Sequence, residues 1–205
     1  MKKVNNFWLP SNDTFFVNKP NYEIKETNMV LRSVGRYGTA IDVGAHCGYW
    51  SQRLSKKFKK VIAIEPVEEH YKCLERNIEK SNNVELVYAA ASDFVGTINM
   101  EVAGDNSGKS RIITNSASTD GQTAKTIKID DLNVEDVDFI KIDVEGHEEK
   151  VLLGCVETLK RWKPLLLVEI YEGYDTIEDI LKPLGYRMIA SNKYNFIWKH
   201  GNTSR

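Results

Sequence analysis

The sequence predicts one α/β domain built around a mostly parallel β-sheet. Short runs rich in Val and Ile alternate with segments of helical periodicity, which is the pattern of parallel strands joined by crossover helices. The 205 residues are enough for one sizeable hydrophobic core. Charges nearly balance, with 28 Lys and Arg against 29 Asp and Glu, so we expect no broad attraction to nucleic acid or to acidic lipid.

Each core strand is marked by a short apolar run. The runs predicted as core strands are residues 39–44, 61–66, 84–90, 138–146 and 164–171. Helices are predicted between them because apolar residues recur there every three or four positions. Residues 97–102 and 125–130 are predicted to be further extended pieces, and a hairpin of residues 186–190 and 194–198 is predicted to close the sheet.

The first 37 residues differ in composition from the rest of the chain. They are rich in aromatic residues and Asn, and a helix from Glu23 to Val34 would carry Ile24, Leu31 and Val34 on one side. We expect residues 1–37 to be an N-terminal extension that packs on the core as a cap over one edge of the sheet. Residues 38–205 would then form the domain that holds the site.

One long polar loop, Gly104 to Gln122, interrupts the second half of the chain. Loops of this length in compact domains are usually either functional or disordered. The sequence therefore predicts a disordered surface insert or a lid over a site.

Cysteine usage and hydropathy suggest a compartment. The three cysteines, Cys47, Cys73 and Cys155, are isolated in sequence, which favours free thiols in a reducing environment. No apolar run approaches the length of a membrane span, and the start of the chain lacks the apolar region of a secretory signal. These features predict a cytoplasmic protein with no membrane association.

Acidic residues stand at the ends of the core strands, where an open parallel sheet binds its ligands. They are Asp42, Glu65, Asp93, Asp143 with Glu145, and Glu169. A carboxylate at every strand end favours a ligand rich in hydroxyl, amino or cationic groups, and it would repel a phosphate.

The turn after the first strand narrows the choice of ligand. Gly44 and Gly48 form a G-x-x-x-G pattern, whereas a pyrophosphate site would show G-x-G-x-x-G. Glu65 lies about 20 residues further on, the distance at which an acid accepts hydrogen bonds from ribose hydroxyls. Ser92 and Asp93 could accept the amino group of an adenine. These residues favour S-adenosylmethionine, with its carboxylate on N–H groups of the turn and its ammonium near Asp42.

Several motifs in order resemble the FkbM-type methyltransferases, a Rossmann-like class I branch of the S-adenosylmethionine-dependent enzymes. The motifs are IDVGAHCGYWS, AIEP, AASD, KIDDL, DFIKIDVEGHEEKVLLG and KPLLLVEI. The resemblance covers about Tyr22 to Glu169 and implies a seven-stranded sheet with a reversed last strand, helices on both faces and methyl transfer usually to oxygen. The family commonly has Asn where His46 stands. The residues predicted to bind the cofactor are Glu23, Asp42, Gly44, Ala45, His46, Gly48, Glu65, Pro66, Ser92 and Asp93.

Methyl transfer to a hydroxyl needs an acceptor held in line and a base for its proton. Alternation along the fourth core strand places Lys141, Asp143 and Glu145 on one side, and His147 follows, so these four are the catalytic candidates. A structural alternative is an ion pair of Lys141 with Asp143, with Glu145 as a helix cap. A divalent ion held by Asp143, Glu145 and Glu169 is another alternative.

The predicted function is methylation of a hydroxyl or carboxylate on a small molecule or sugar. We expect the acceptor pocket to consist of the N-terminal segment, the loop from Gly104 to Gln122 and the region after Tyr171. We expect His70 and His200 to lie at the surface. The alternatives are an NAD-dependent oxidoreductase and a non-catalytic module that binds S-adenosylmethionine.

Overall fold

The computed structural model describes residues 1–113 and 121–202. Its α-helices are α1 (Ile24–Ser33), α2 (Tyr49–Leu54), α3 (Glu68–Ile78), α4 (Glu148–Leu153), α5 (Val156–Trp162) and α6 (Tyr174–Leu181). Its strands are β1 (Lys2–Val4), β2 (Phe7–Leu9), β3 (Thr39–Val43), β4 (Lys60–Ile64), β5 (Val84–Val87), β6 (Ala90–Ala91), β7 (Gly96–Glu101), β8 (Arg111–Ile113), β9 (Gln122–Ile127), β10 (Val137–Ile142), β11 (Leu165–Glu169), β12 (Tyr186–Asn192) and β13 (Asn195–His200).

Seven strands form the main sheet, in the order β12-β13-β11-β10-β3-β4-β5. Strands β5, β4, β3, β10 and β11 are parallel to one another, whereas β13 is antiparallel to both β11 and β12. This confirms the predicted seven-stranded sheet with a reversed last strand. From β3 the chain proceeds to one side through β4 and β5, and later to the other through β10 and β11, so a crevice for a ligand opens between β3 and β10.

Helices cover both faces of this sheet because residues alternate between its two sides. On one face Ile140 and Ile142 pack with Val151 and Leu152 of α4. On the other face Phe139 packs with residues of α1 and α2, which include Val30, Val34, Trp50 and Leu54. All five residues of β3 are buried, as expected for a strand at the centre of a sheet that is covered on both sides.

Helix α1 lies across a face of the sheet, and the prediction of a cap over the sheet's edge is therefore wrong. Val30 and Val34 are buried against this face, whereas Ile24, which we expected on the apolar side, is 40% exposed. Helix α2 has only six residues, so α1 supplies the remaining cover of the apolar side chains of β10 and β11.

The hairpin β1–β2 packs on helix α3 rather than on the sheet. The backbone N–H of Trp8 donates to Asn77 Oδ1 at 2.7 Å, and Asn77 Nδ2 donates to the carbonyl oxygens of Trp8 and Cys47 at 2.9 and 2.8 Å. One side chain of α3 thus joins the N-terminal hairpin to the turn after β3.

The two predicted extended pieces contribute to strands β7 and β9 of a second sheet. This sheet has four strands, in the order β6-β9-β7-β8. This sheet stands beside the carboxyl ends of the main strands. The described part of the predicted loop from Gly104 to Gln122 is ordered: Ser107–Lys109 forms a 3₁₀ turn and β8 follows it. Residues 114–120 of that loop lie outside the described residues.

The buried and free state of Cys47, Cys73 and Cys155 agrees with the prediction of free thiols. The longest described helix, α3, has eleven residues, and the described residues contain no helix long and apolar enough to cross a membrane.

Candidate active site

A cavity of about 270 Å³ opens at the carboxyl ends of β3, β4, β10 and β11. Two of the three segments expected to form an acceptor pocket contribute to its wall: Phe15, Phe16, Tyr22 and Glu23 come from the N-terminal segment, and Asn106 to Ser110 from the loop. Of the third segment, only Tyr171 at its start lines the cavity, and no described residue after it does. The predicted site residues in the wall are Glu23, Gly44, Ala45, His46, Glu65, Pro66, Lys141, Asp143, Glu145 and Glu169.

The turn after β3 depends on glycine at position 44. Gly44 has φ +74°, and a Cβ there would lie 1.8 Å from the carbonyl oxygen of Asp143. A side chain would therefore push β3 away from the segment after β10. His46 also adopts a left-handed conformation, with φ +50°.

Four of the five N–H groups from Gly44 to Gly48 are already engaged within the protein, and that of Cys47 has no hydrogen bond to the described residues. Those of Gly44 and Ala45 both donate to the carbonyl of Ile64 at 3.0 Å, and that of Gly48 donates to Ala45 at 2.8 Å. The His46 N–H donates to Glu65 Oε2 at 2.8 Å. These four groups are thus not available to the cofactor's carboxylate, because the turn folds tightly onto β4 and uses them itself; a contact through the N–H of Cys47 stays a prediction.

Two predicted cofactor residues lie behind the cavity wall. Asp42 is fully buried, accepts a hydrogen bond from Ser51 Oγ at 2.6 Å and lies 3.6 Å from Lys141 Nζ. Burial raises its pKa. Gly48 faces α3, where a Cβ would lie 2.7 Å from Leu74 Cδ1. Both residues support the site from beneath rather than contact a ligand.

Glu65 faces the cavity but is held on one side by the protein. Its Oε1 accepts the N–H of Val67 at 2.9 Å and lies 3.3 Å from His70 Nδ1, while Oε2 accepts the N–H of His46. A carboxylate has about four lone-pair positions, so Glu65 keeps acceptor capacity toward the cavity.

The prediction of a surface position for His70 is wrong. His70 is 2% exposed, lines the cavity and has its ring centroid 4.5 Å from that of His46. The sequence held one signal for this position: His70 lies in the first turn of the helix that follows Glu65, so it faces the same strand end.

His46 connects the turn to the loop above it. Its Nε2 lies 2.7 Å from Ser107 Oγ, and its ring packs 4.9 Å from that of Phe16. The Ser107 hydroxyl donates to Asp13 Oδ2, so the proton of the His46–Ser107 bond belongs to His46 Nε2. Burial lowers the pKa of His46, with a further contribution from His70, which keeps the ring neutral.

At the end of β10, Lys141 is a buried cation among carboxylates. Its Nζ lies 3.0 Å from Asp143 Oδ2 and donates to the carbonyl of Gly44 at 3.2 Å. Burial alone would lower the pKa of Lys141, but Asp143 and Asp42 outweigh burial and raise it. Burial likewise raises the pKa of Asp143, yet Lys141 outweighs this and holds it below its usual range.

Glu169 shares a hydrogen bond with Asp143. Burial and the adjacent Asp143 raise the pKa of Glu169 to about 10, so Glu169 is protonated at neutral pH and donates to Asp143. Tyr171 donates its hydroxyl to Glu169 Oε1 at 3.3 Å. Asp143, Glu145 and Glu169 offer oxygens within 4.8 Å of one another, but Lys141 already supplies a positive charge there.

Glu145 differs from these carboxylates because its side chain has no hydrogen bond or ion pair within the described residues. It does not cap helix α4; Glu148 Oε1 accepts the N–H of Gly146 at 2.9 Å instead. Burial raises the pKa of Glu145 to about 7, and Asp143 and Glu148 add to this.

The structure does not bring Ser92, Asp93 or His147 to the cavity wall described above. His147 Nε2 lies 3.0 Å from Ser92 Oγ, and Lys150 forms an ion pair with Asp93 at 3.2 Å. Gly154 draws this segment toward α4, since a Cβ there would lie 1.9 Å from the Ser92 carbonyl oxygen. Ala89, Ala90 and Ala91 line the cavity in their place.

Glu23 lines the N-terminal side of the cavity, and its contact with the cofactor stays a prediction. Trp50 Nε1 donates to Glu23 Oε2 at 2.7 Å, which ties the start of α1 to α2. Burial raises the pKa of Glu23 to about 7, and Asp143 contributes to the same shift.

A model of the methyltransferase FkbM domain matches residues 42–188. The chain belongs to this family. Hexuronic acid methyltransferase AglP of Haloferax volcanii is 32% identical over 160 residues, which are 73% of this chain and 62% of AglP. The chain therefore spans less than two thirds of the length of that relative.

Solved structures of methyltransferases share the fold. A methyltransferase FkbM from Methylobacillus flagellatus KT aligns with a TM-score of 0.56 at 18% identity, covering 80% of this chain and 44% of that one. A SAM-dependent methyltransferase from Aquifex aeolicus aligns with a TM-score of 0.51 at 20% identity, covering 89% and 94%. The fold of this FkbM-family chain is that of the class I methyltransferases.

The FkbM match places most of the cavity inside the family's domain. Gly44, Glu65, Asp143 and Glu169 all lie within residues 42–188. The N-terminal part of the wall, with Phe16 and Glu23, lies before the matched range, so this side of the site belongs to the part of the chain that the family model does not describe.

Proposed function

We propose that this FkbM-family protein is an S-adenosylmethionine-dependent O-methyltransferase whose acceptor is a hydroxyl of an acidic sugar. The observation that carries the proposal is one cavity in which Glu65 faces the strand-end carboxylates Asp143 and Glu145. The name of the relative AglP, a hexuronic acid methyltransferase, supports the sugar. Lys109 in the wall offers a cation for the acceptor's own carboxylate.

The residues present fit S-adenosylmethionine. Glu65 retains lone pairs for ribose hydroxyls, and the apolar residues beside it suit an adenine ring; these are Val67, Ala89, Ala90, Ala91, Met100 and Ile112. Glu23 and Asp143 place negative charge where an ammonium and a sulfonium would be stabilised. When bound, the cofactor supplies an activated methyl group.

An oxidoreductase with a dinucleotide is disfavoured by the same turn. A pyrophosphate needs unoccupied N–H groups at the turn after the first core strand. Here those of Gly44, Ala45, His46 and Gly48 donate within the protein, and the carboxylate of Glu65 stands beside them.

Calorimetry on the whole chain tests the cofactor. We expect S-adenosylhomocysteine to bind with a Kd on the order of micromolar, and NAD not to bind. Glu65→Ala removes the acceptors of the ribose hydroxyls and should weaken binding about tenfold or more. Glu68→Ala, an exposed carboxylate three residues away, is the matched control and should bind as the wild type does. Absence of binding to S-adenosylhomocysteine would contradict the proposal.

Transfer of labelled methyl groups tests the acceptor. We expect transfer to D-glucuronic acid, D-galacturonic acid or their methyl glycosides, and little transfer to D-glucose. Binding of S-adenosylhomocysteine without transfer to any of these sugars would favour the non-catalytic binding module. Faster transfer to neutral sugars than to acidic sugars would contradict the proposed binding of the acceptor's carboxylate by Lys109.

A further inference from the structure

We infer that Glu145 is the general base that takes the proton of the acceptor hydroxyl. This inference rests on the proposed O-methyl transfer and assigns a role that the family and the fold leave open. It follows from the partners of the five carboxylates in the cavity wall, Glu23, Glu65, Asp143, Glu145 and Glu169.

Two of the five are committed to the frame of the cavity. Glu65 accepts two backbone N–H groups, from His46 and Val67, with one oxygen each. Glu23 accepts the indole N–H of Trp50 at 2.7 Å and stands at the start of α1. A proton placed on either carboxylate would weaken a hydrogen bond that holds the wall together.

Two more carboxyl groups are occupied by each other and by Lys141. Asp143 is paired with Lys141 at 3.0 Å and accepts a hydrogen bond from protonated Glu169, so it is a weak base. Glu169 already carries its proton and receives the hydroxyl of Tyr171. Neither can remove a proton from an acceptor without first giving up a buried partner.

Glu145 alone of the five has no hydrogen bond or ion pair from the described residues. Its backbone is left-handed, with φ +53°, a conformation that is unfavourable for a residue with a side chain. Gly146 follows with φ +99°. The chain thus keeps a strained conformation that presents an unpaired carboxylate to the cavity.

The charged groups that influence Glu145 come from its own segment, from α4, from the loop and from β8. Asp143 and Glu148 lie near it on its own segment and in α4, and Lys109 and Arg111 lie on the loop and β8. The carboxylates raise and the cations lower its pKa, with burial as the largest influence, and the resulting value of about 7 suits a base at neutral pH.

The proposed step balances as follows. The acceptor hydroxyl gives its proton to a carboxylate oxygen of Glu145, while the acceptor oxygen uses an electron pair to bond the methyl carbon. The bond from that carbon to sulfur breaks, and its electron pair remains on sulfur. The products are the methyl ether, S-adenosylhomocysteine and protonated Glu145, which returns its proton to water.

Glu145→Gln tests the inference, with methyl β-D-glucuronide as acceptor. We expect kcat to fall by about 10²- to 10⁴-fold, with S-adenosylhomocysteine affinity within about twofold of the wild type. Glu145→Asp should recover part of the activity. Glu149→Gln, an exposed carboxylate four residues further on, is the control and should keep full activity. A loss of kcat below about threefold in Glu145→Gln would overturn the inference.

A second variant and a second measurement separate this inference from the proposed function. Asn tolerates the left-handed conformation, so Glu145→Asn should be at least as stable as the wild type. Its kcat should be as low as that of Glu145→Gln. Carbon-13 NMR of glutamate carboxyls in the complex with S-adenosylhomocysteine should show two resonances titrating near pH 7, of which Glu145→Gln removes one and Glu23→Gln the other. A Glu145 carboxyl titrating near 4.5 overturns the inference even where no sugar is methylated.

Discussion

Lys141 is the one buried Lys or Arg among the described residues, and it influences which of the carboxylates around it are ionised. It pairs with Asp143 and stands 3.6 Å from Asp42, while Glu169 keeps its proton and donates it in a hydrogen bond to Asp143. Removing a partner from a group of buried charges leaves an uncompensated charge, which costs several kcal/mol. The ion pair of Lys141 with Asp143 therefore stabilises the fold at this strand end, and the raised pKa of Glu169 leaves the pair Asp143–Glu169 with one proton at neutral pH.

A pH-dependent stability follows from Glu169. Its folded-state pKa of about 10 lies above the ordinary value of 4.5, so its contribution is fully present below about pH 4.5 and is lost as pH rises toward 10. Glu169→Gln stays neutral and should lack this decline, which has an upper limit of about 1.4 kcal/mol per pH unit. In urea unfolding at pH 5, 7 and 9, the free energy of unfolding of the variant should increase relative to that of the wild type as pH rises.

Glu172→Gln, an exposed carboxylate near by, is the control for this measurement and should follow the wild type. Asp143 does not affect this comparison, since its lowered pKa changes the free energy of unfolding with pH only below about pH 3.8. Equal slopes of unfolding free energy against pH in the wild type and Glu169→Gln would show that Glu169 is ionised in the folded protein.

Single residues also show the limits of sequence reasoning. The strand-end acids Glu65, Asp143 and Glu169 were predictable, because the carboxyl ends of parallel strands meet at one side of the sheet. Asp93 failed the same rule since Gly154 pulls its segment toward α4, and no local pattern reveals such a contact. His70 was missed because the sequence does not show which face of a helix looks toward a cavity.

Among the elements, two short segments distant in sequence join over the cavity. Thr14 and Phe15 donate their N–H groups to the carbonyl of Asp105 at 2.9 and 3.1 Å. Asp13 is fully buried and accepts the N–H of Ser107 at 3.0 Å as well as its hydroxyl. These bonds form a clasp between residues 13–16 and 105–110, and the bond of Ser107 to His46 fixes the clasp to the turn below.

Asp13→Ala should open this clasp. It leaves the N–H of Phe16 and both donors of Ser107 without their acceptor, which we expect to cost about 1–3 kcal/mol. Limited proteolysis should cut the segment 105–110 faster than in the wild type. Asp105→Ala is the matched control, because only the backbone carbonyl of Asp105 takes part in the clasp. Equal cleavage rates in the two variants would show that the Asp13 carboxylate does not hold it.

The sequence predicted elements well where a local pattern was sufficient. The strands of the main sheet and their helices have the periodicity of buried elements and appear near their predicted positions. Strand β5 ends at Val87 and β10 at Ile142, however, so Asp143 and Glu145 follow β10 and the prediction that they lie on one side of it is wrong. The second sheet was not foreseen as a sheet, since β6 pairs with β9 across more than thirty residues and no local pattern shows such a pairing. The position of α1 on a face rather than an edge depended on the shortness of α2.

For the whole molecule, the residues before the family's domain divide into two parts. Residues 1–22 pack on α3 and line the cavity, whereas α1 buries Val30 and Val34 in the core of the main sheet. The structure thus places a functional division near residue 22, inside the extension of residues 1–37 predicted from composition.

Two truncations test this division. Removal of residues 2–22 should leave a cooperatively folding protein that binds S-adenosylhomocysteine more weakly, because Phe16 and Tyr22 are gone from the wall. Removal of residues 2–37 should expose Trp50 and Phe139 and cause aggregation. Thermal unfolding by circular dichroism and calorimetry would measure both. A stable, monomeric product of the longer truncation would refute the assignment of α1 to the core.

The clasp between residues 13–16 and 105–110 has a consequence for the order of folding. Asp13 and Ser107 are 94 residues apart, so their contact carries the entropy cost of closing a long loop and forms after local structure. Residues 1–22 can pack on α3 and on the turn after β3 before β7 is in place, but Asp13 gains its partner only with the loop after β7. The upper wall of the cavity is therefore completed late in folding, after the main sheet that supports it.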